Sequence, residues 1–200
     1  MNLPNTITMI RLLLTAVFCA AASYEGTLGY SIALVAFCLG AISDYLDGYL
    51  ARKLNLVTSL GKLLDPLADK ILVCSGFLYL SAKGLCPVWV TALIICREFL
   101  VTGIRQIAVE KGVVIAADRL GKWKTAFQLT FVITAVTHLT FKEVNVDFWL
   151  VKVLQYLSEP AHWLFSLSLW PAVILTVVSG AGYLWKSRDM LLDRDAPPAK

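Results

Sequence analysis

The chain has 200 residues, 58% of them apolar and 16% charged, with a mean hydropathy of +0.71. Soluble domains carry about 45–50% apolar and about 25% charged residues, so the composition points to a bilayer and excludes a disordered chain, collagen, a coiled coil and a disulfide scaffold. Eighteen Lys and Arg against 14 Asp and Glu leave +4, too mild an excess for a nucleic-acid partner.

A membrane-spanning helix needs about 20 mostly apolar residues. In chain order, residues 12–24, 30–43, 71–82 and 84–96 are uncharged but short, and reach span length only with charged residues admitted at one end; 125–141 and 163–185 are uncharged throughout. These predict an all-α polytopic membrane protein with six spans, at about 7–24, 30–53, 65–82, 87–110, 121–141 and 162–186, forming one catalytic domain over residues 1–186. With the N-terminus cytoplasmic, fifteen Lys and Arg fall inside and three, Lys83, Lys142 and Lys152, outside. The positive-inside rule therefore places both termini in the cytoplasm, and the expected location is the cell (inner) membrane with the site facing the cytoplasm.

The first segment also has the look of a secretory signal, with Arg11, an apolar run and small residues at 19–23. Its continuation into further spans of the same charge bias favours a span. Residues 141–160, with Trp149 and Tyr156 among few charges, suit the outer interface. Residues 187–200 read as a cytoplasmic tail.

The informative residues are the charges that fall inside these segments. Asp44 and Asp47 precede the basic end of the second span, Asp44 about 12 Å above Arg52 at 1.5 Å per residue. Asp65 and Asp69 open the third span, and Arg97, Glu98 and Arg105 lie in the inner half of the fourth. A central carboxylate costs about 2.5–3.5 kcal/mol, so four facing lipid would cost on the order of 10 kcal/mol. They are expected to face one another or an ion, in a polar cavity open to the cytoplasm. The spacings i, i+3 and i, i+4 put each pair on one helix face. Four carboxylates without His or Cys form an oxygen-only set that suits Mg²⁺ or Mn²⁺, and two ions about 3.5–4 Å apart are plausible. Gly48 and Ala51 leave room for a ligand or a neighbouring helix. Pro66 is expected in the first turn of its helix, where no intrahelical donor is lost.

The string Asp44-x2-Asp47-Gly48-x2-Ala51-Arg52-x8-Gly61-x3-Asp65-x3-Asp69 resembles the signature of the CDP-alcohol phosphotransferase family at every position. Chance would produce it on the order of 10⁻¹⁰ times per starting point. The resemblance implies transfer of a phosphatidyl or similar group from a CDP-linked donor to an alcohol, with release of CMP. It implies that Asp44, Asp47, Asp65 and Asp69 hold a metal pair and that Asp69 is the base for the acceptor hydroxyl. It also implies a donor site at Asp44, Asp47, Gly48, Ala51, Arg52 and Gly61, and a homodimer.

A second group narrows the acceptor. Arg97-Glu98-Phe99, Ile104-Arg105, Gly121-Lys122-x-Lys124-Thr125 and the N-terminal Leu3-Pro4-Asn5 with Thr8 and Arg11 resemble the phosphatidylglycerophosphate synthase branch. That implies CDP-diacylglycerol as donor and glycerol-3-phosphate as acceptor, with serine, inositol phosphate or phosphatidylglycerol as alternative acceptors. An acceptor phosphate needs cations, and Arg97, Arg105, Lys122 and Lys124, with Thr8 and Arg11, are the candidates. The plainer readings are that Lys122 and Lys124 mark a membrane boundary, Glu98 neutralises an arginine, Thr8 starts a helix and Arg11 is interfacial. His138, His162 and the five Cys read as interfacial or apolar filler. A divalent-cation carrier is the reading from another class, and the nearly uncharged outer halves of the spans argue against it.

Overall fold

A computed structural model describes residues 3–54, 59–111, 119–142, 144 and 146–191. Among the described residues the chain is all helix, with α1 (Leu3–Ala22), α2 (Thr27–Leu54), α3 (Ser59–Ala82), α4 (Val88–Glu110), α5 (Arg119–Phe141), α6 (Trp149–Ser158) and α7 (Trp163–Leu191). The short α6 falls within the stretch expected at the outer interface, so it is an addition to the six long helices. Two boundaries differ from expectation by five residues or more. The third helix opens at Ser59, which puts Pro66 about two turns inside it and not in its first turn. The last helix continues to Leu191, into the expected tail.

Local chemistry sets the ends. Gly84, at φ +73°, closes α3: Leu85 N–H donates to the Leu80 carbonyl at 2.9 Å and Gly84 N–H to that of Ser81 at 3.1 Å, the paired bonds of a Schellman motif. Leu85 then packs on the core that holds Leu80. Pro87, which has no N–H to donate, stands immediately before α4. Inside the helices, hydroxyls donate to the carbonyl four residues back, as Thr15 does to Arg11, Thr102 to Glu98 and Thr140 to Val136. That leaves few polar groups to satisfy where water is absent.

The core lies between α1, α2, α3, α4, α5 and α7 and is built on aromatic rings. Phe77 stacks on Phe131 at 5.5 Å and Phe131 meets Phe165 edge-on at 5.1 Å, while Phe18 and Phe37 pair at 5.4 Å. Small residues let the backbones approach. At Gly76 an added Cβ would lie 2.8 Å from Val132 and 3.0 Å from Phe37. The outside carries many apolar side chains, with Leu13, Leu28, Val35, Leu78, Val88, Val109 and Ile174 all exposed, more than a soluble monomer usually presents. By length and composition, residues 163–188 form a helix long and apolar enough to cross a membrane; 6–22, 27–43 and 70–82 are shorter apolar helices.

Candidate functional site

Asp44, Asp47, Gly48, Ala51 and Arg52 fall on the last turns of α2, and Gly61, Asp65 and Asp69 on the first turns of α3. Both backbones are helical through these positions, so the i, i+3 and i, i+4 spacings hold each carboxylate pair on one face. The eight side chains themselves lie outside the described residues. Among the described residues no three His, Cys, Asp or Glu come together.

Two flanking groups are described. On α1, Thr8 and Arg11 are both 1% exposed, and the Arg11 Nε donates to Ser43 Oγ at 3.5 Å. Ser43 directly precedes Asp44, and its hydroxyl proton goes to the Gly40 carbonyl at 2.7 Å. Thus α1 delivers a buried cation to the α2 turn where the carboxylates begin. A guanidinium withdrawn this completely from solvent is no interfacial arginine.

The second group joins α4, α5 and α7. Glu98 takes an ion pair from Lys124 and a weaker one from Arg97 at 3.4 Å. Lys124 is 2% exposed, so it is not a surface marker of a membrane boundary. Lys122, two residues away and so on the opposite helix face, is exposed. The structure therefore separates the two lysines that the sequence grouped. The Nη2 of Arg97 donates to Ser179 Oγ at 2.9 Å, and its Nε is buried without a partner among the described residues. Gly180 makes room for it, since a Cβ there would stand 3.1 Å from Arg97 Cγ. Arg97, Glu98 and Lys124 together carry one net positive charge, with Glu98 and Lys124 buried and Arg97 partly so.

Arg105, two turns further along α4, is exposed. Its Nε donates to the Tyr183 hydroxyl at 3.1 Å and its Nη2 to the same oxygen, with the guanidinium carbon 5.1 Å from the ring centre. A step away from Arg97, Gln128 of α5 donates to Thr176 Oγ1 at 3.4 Å.

Thr176, Ser179, Gly180 and Tyr183 were not among the expected site residues, because α7 reads as an uncharged span. A signal was present. Thr176, Ser179, Tyr183 and Ser187 recur at steps of three, four and four, a polar stripe on one face of an apolar helix. The remaining residues keep their plain roles: His162 packs on Tyr156 at 4.6 Å and its Nδ1 accepts from Leu164 N–H, and the five cysteines are free.

Residues 1–178 match the family model described as CDP-alcohol phosphatidyltransferase. The chain is 40% identical, over 95% of its length and 97% of the other's, to a Bacillus subtilis protein named CDP-diacylglycerol–glycerol-3-phosphate 3-phosphatidyltransferase. A Rickettsia felis protein of the same name is 34% identical over 91% of this chain and 93% of its own. A Mycobacterium tuberculosis protein named probable phosphatidylglycerophosphate synthase is 34% identical over 92% of this chain and 80% of its own.

Proposed function

The chain belongs to the CDP-alcohol phosphatidyltransferase family, and on that premise we propose that it transfers the phosphatidyl group of CDP-diacylglycerol to glycerol-3-phosphate, forming phosphatidylglycerophosphate and CMP. The observation that carries this reading is the complete signature on α2 and α3 in a chain similar, over nearly its whole length, to proteins named for that reaction.

The acceptor hydroxyl oxygen bonds to the phosphatidyl phosphorus while the bond from that phosphorus to the bridging diphosphate oxygen breaks. CMP leaves with that electron pair, and Asp69 accepts the hydroxyl proton. Arg52, with Gly48, Ala51 and Gly61 leaving space, contacts the CDP moiety. The residues fit divalent ions: Asp44, Asp47, Asp65 and Asp69 offer only oxygen, each pair one helical turn apart, and would hold Mg²⁺ or Mn²⁺. The chemistry that such ions would supply there is neutralisation of the charge on the departing phosphate. The acceptor's own phosphate is held by cations of the second group, Arg97, Arg105 and Lys124, with Thr8 and Arg11 of α1 at the signature end; Lys122, expected with them, lies on the opposite face of α5 and takes no part.

The same proposal places α1 to α5 and α7 across the inner membrane as six spans, termini and site cytoplasmic, with α6 on the outer surface. The exposed apolar faces and the one-sided Lys and Arg support this arrangement. The homodimer implied by the family resemblance belongs to it too, with cross-linking in native membranes as its test.

The test is lipid-product analysis with purified protein, CDP-diacylglycerol, labelled glycerol-3-phosphate and Mg²⁺ or Mn²⁺. CMP and labelled phosphatidylglycerophosphate should form together and stop with Asp69→Asn or a chelator. Product from serine, inositol phosphate or phosphatidylglycerol in place of glycerol-3-phosphate would overturn the acceptor. CMP release unchanged by Asp69→Asn would overturn the base.

A further inference from the structure

The cations of α4 are oriented in two different ways. Arg97 shares the Glu98 carboxylate with Lys124. Among the described residues, Arg105 meets no carboxylate, and both of its hydrogen bonds go to one neutral oxygen, the hydroxyl of Tyr183. Tyr183 is 5% exposed while Arg105 is exposed. A buried, rigid acceptor thus grips an exposed guanidinium from behind.

That choice of acceptor has a consequence. A carboxylate at the position of Tyr183 would cancel the charge of Arg105 and compete with any incoming phosphate. A phenol oxygen fixes the plane of the guanidinium and leaves its full charge. Two of the five guanidinium N–H groups are taken by Tyr183, and the three others remain for a bidentate contact with an oxyanion. Ser179 also offers a neutral oxygen to Arg97, alongside the Glu98 carboxylate. Its hydroxyl proton goes to carbonyls of its own helix, at Leu175 and Thr176, which leaves its oxygen to accept from Nη2.

We propose that α7 supplies the positioning residues of the acceptor-phosphate site: Tyr183 aims Arg105 at the phosphate of the acceptor, and Ser179 holds Arg97 in line behind it. This rests on the phosphorylated acceptor proposed above. It assigns to the uncharged α7 the selection between a phosphorylated and an uncharged alcohol, through neutral oxygens that orient cations without discharging them.

Steady-state kinetics of the full chain in mixed micelles, with each substrate varied in turn, test this. Tyr183→Phe keeps the ring and removes the oxygen. It should raise KM for glycerol-3-phosphate about tenfold or more, the low end for one hydrogen bond to a charged group, and leave kcat and KM for CDP-diacylglycerol within about twofold. Inorganic phosphate, competing with glycerol-3-phosphate, should lose affinity by the same factor. Arg105→Lys should show the same KM rise, and adding Tyr183→Phe to it should change nothing further, because the two residues act as one unit. Ser179→Ala should act in the same direction with a smaller rise.

An unchanged KM in Tyr183→Phe overturns the proposal. So do equal changes in both KM values and kcat, the mark of a merely structural role, and additivity of the double variant. Should the unsubstituted protein use only an uncharged acceptor, the functional reading of the preceding section falls first and takes this one with it. Activity with glycerol-3-phosphate together with a silent Tyr183→Phe sinks this inference alone.

Discussion

The carboxylate of Glu98 on α4 is ion-paired with the ammonium of Lys124 on α5, their side chains 10% and 3% exposed. A pair this withdrawn from solvent binds the two helices through mutual dependence, since either partner alone would be a buried charge. Lys124→Met should therefore lower stability by about 3 kcal/mol, at the low end for a broken buried pair because Arg97 still faces Glu98. The double variant Glu98→Gln, Lys124→Met should recover most of that loss. Thermal unfolding in detergent reads both; equal losses in single and double variants would show that the ion pair is not what couples α4 to α5.

Gly180 lies against the stem of Arg97, where a Cβ would approach Cγ to 3.1 Å. Gly180→Ala asks a flexible side chain to give by a few tenths of an ångström, and activity should fall no more than about threefold. Gly180→Leu fills the space that Arg97 occupies and breaks its bond to Ser179. Such overpacking costs about 1–3 kcal/mol, and it should reduce kcat/KM for glycerol-3-phosphate by at least about tenfold in protein that still elutes as folded. Wild-type kinetics in Gly180→Leu would mean that Arg97 has another route to its position.

Lys83, just beyond α3, donates to Glu25, between α1 and α2, at 2.9 Å. The Lys83 ammonium holds the Glu25 carboxyl below its ordinary value of 4.5, by hydrogen bond first and charge second. In return the Glu25 hydrogen bond raises Lys83 above 10.5. A depressed carboxyl contributes stability above its ordinary pKa and loses it as pH falls through the lowered value. A raised ammonium contributes below its ordinary pKa and loses it as pH rises through the raised one. The difference in Tm between wild type and Glu25→Gln should accordingly be flat between those limits, vanish well below pH 4.5, and shrink with added salt because the pair is exposed. A difference that persists in acid would assign it to some other effect of the glutamine.

The proposed six-span arrangement would put the Glu25–Lys83 pair on the outer surface and Lys111, at the end of α4, in the cytoplasm. In a cysteine-free background, Lys83→Cys should react with a membrane-impermeant maleimide on intact cells. Lys111→Cys should react only once the membrane is opened. The reverse pattern would invert the topology, and equal labelling of both would remove it.

Much of this was legible in residue order alone. Apolar run lengths and interrupting charges foretold an all-helical chain, and Trp149 and Tyr156 marked the stretch that forms α6. The eight signature residues carried the family resemblance by identity and spacing, and the family match agrees with it. Less legible were helix limits set by context, such as the extra turns that place Pro66 inside α3. Lys122 and Lys124 also looked equivalent in sequence, yet a rotation of about 200° between them sends one to the surface and the other to Glu98.

What the sequence by itself determined is whatever depends on local order: helices, the uneven spread of basic residues between the apolar runs, and the carboxylate pairs one turn apart. What only the tertiary structure decided is which polar groups complete one another across the bundle. Ser179 stands 82 residues from Arg97 and Tyr183 78 residues from Arg105, and no periodicity links them. Their pairing follows from the packing of α7 against α4, which Gly180 permits. It turns an apparently featureless apolar helix into the one that aims the cations, because in a low-dielectric interior a neutral oxygen can orient a charge without neutralising it.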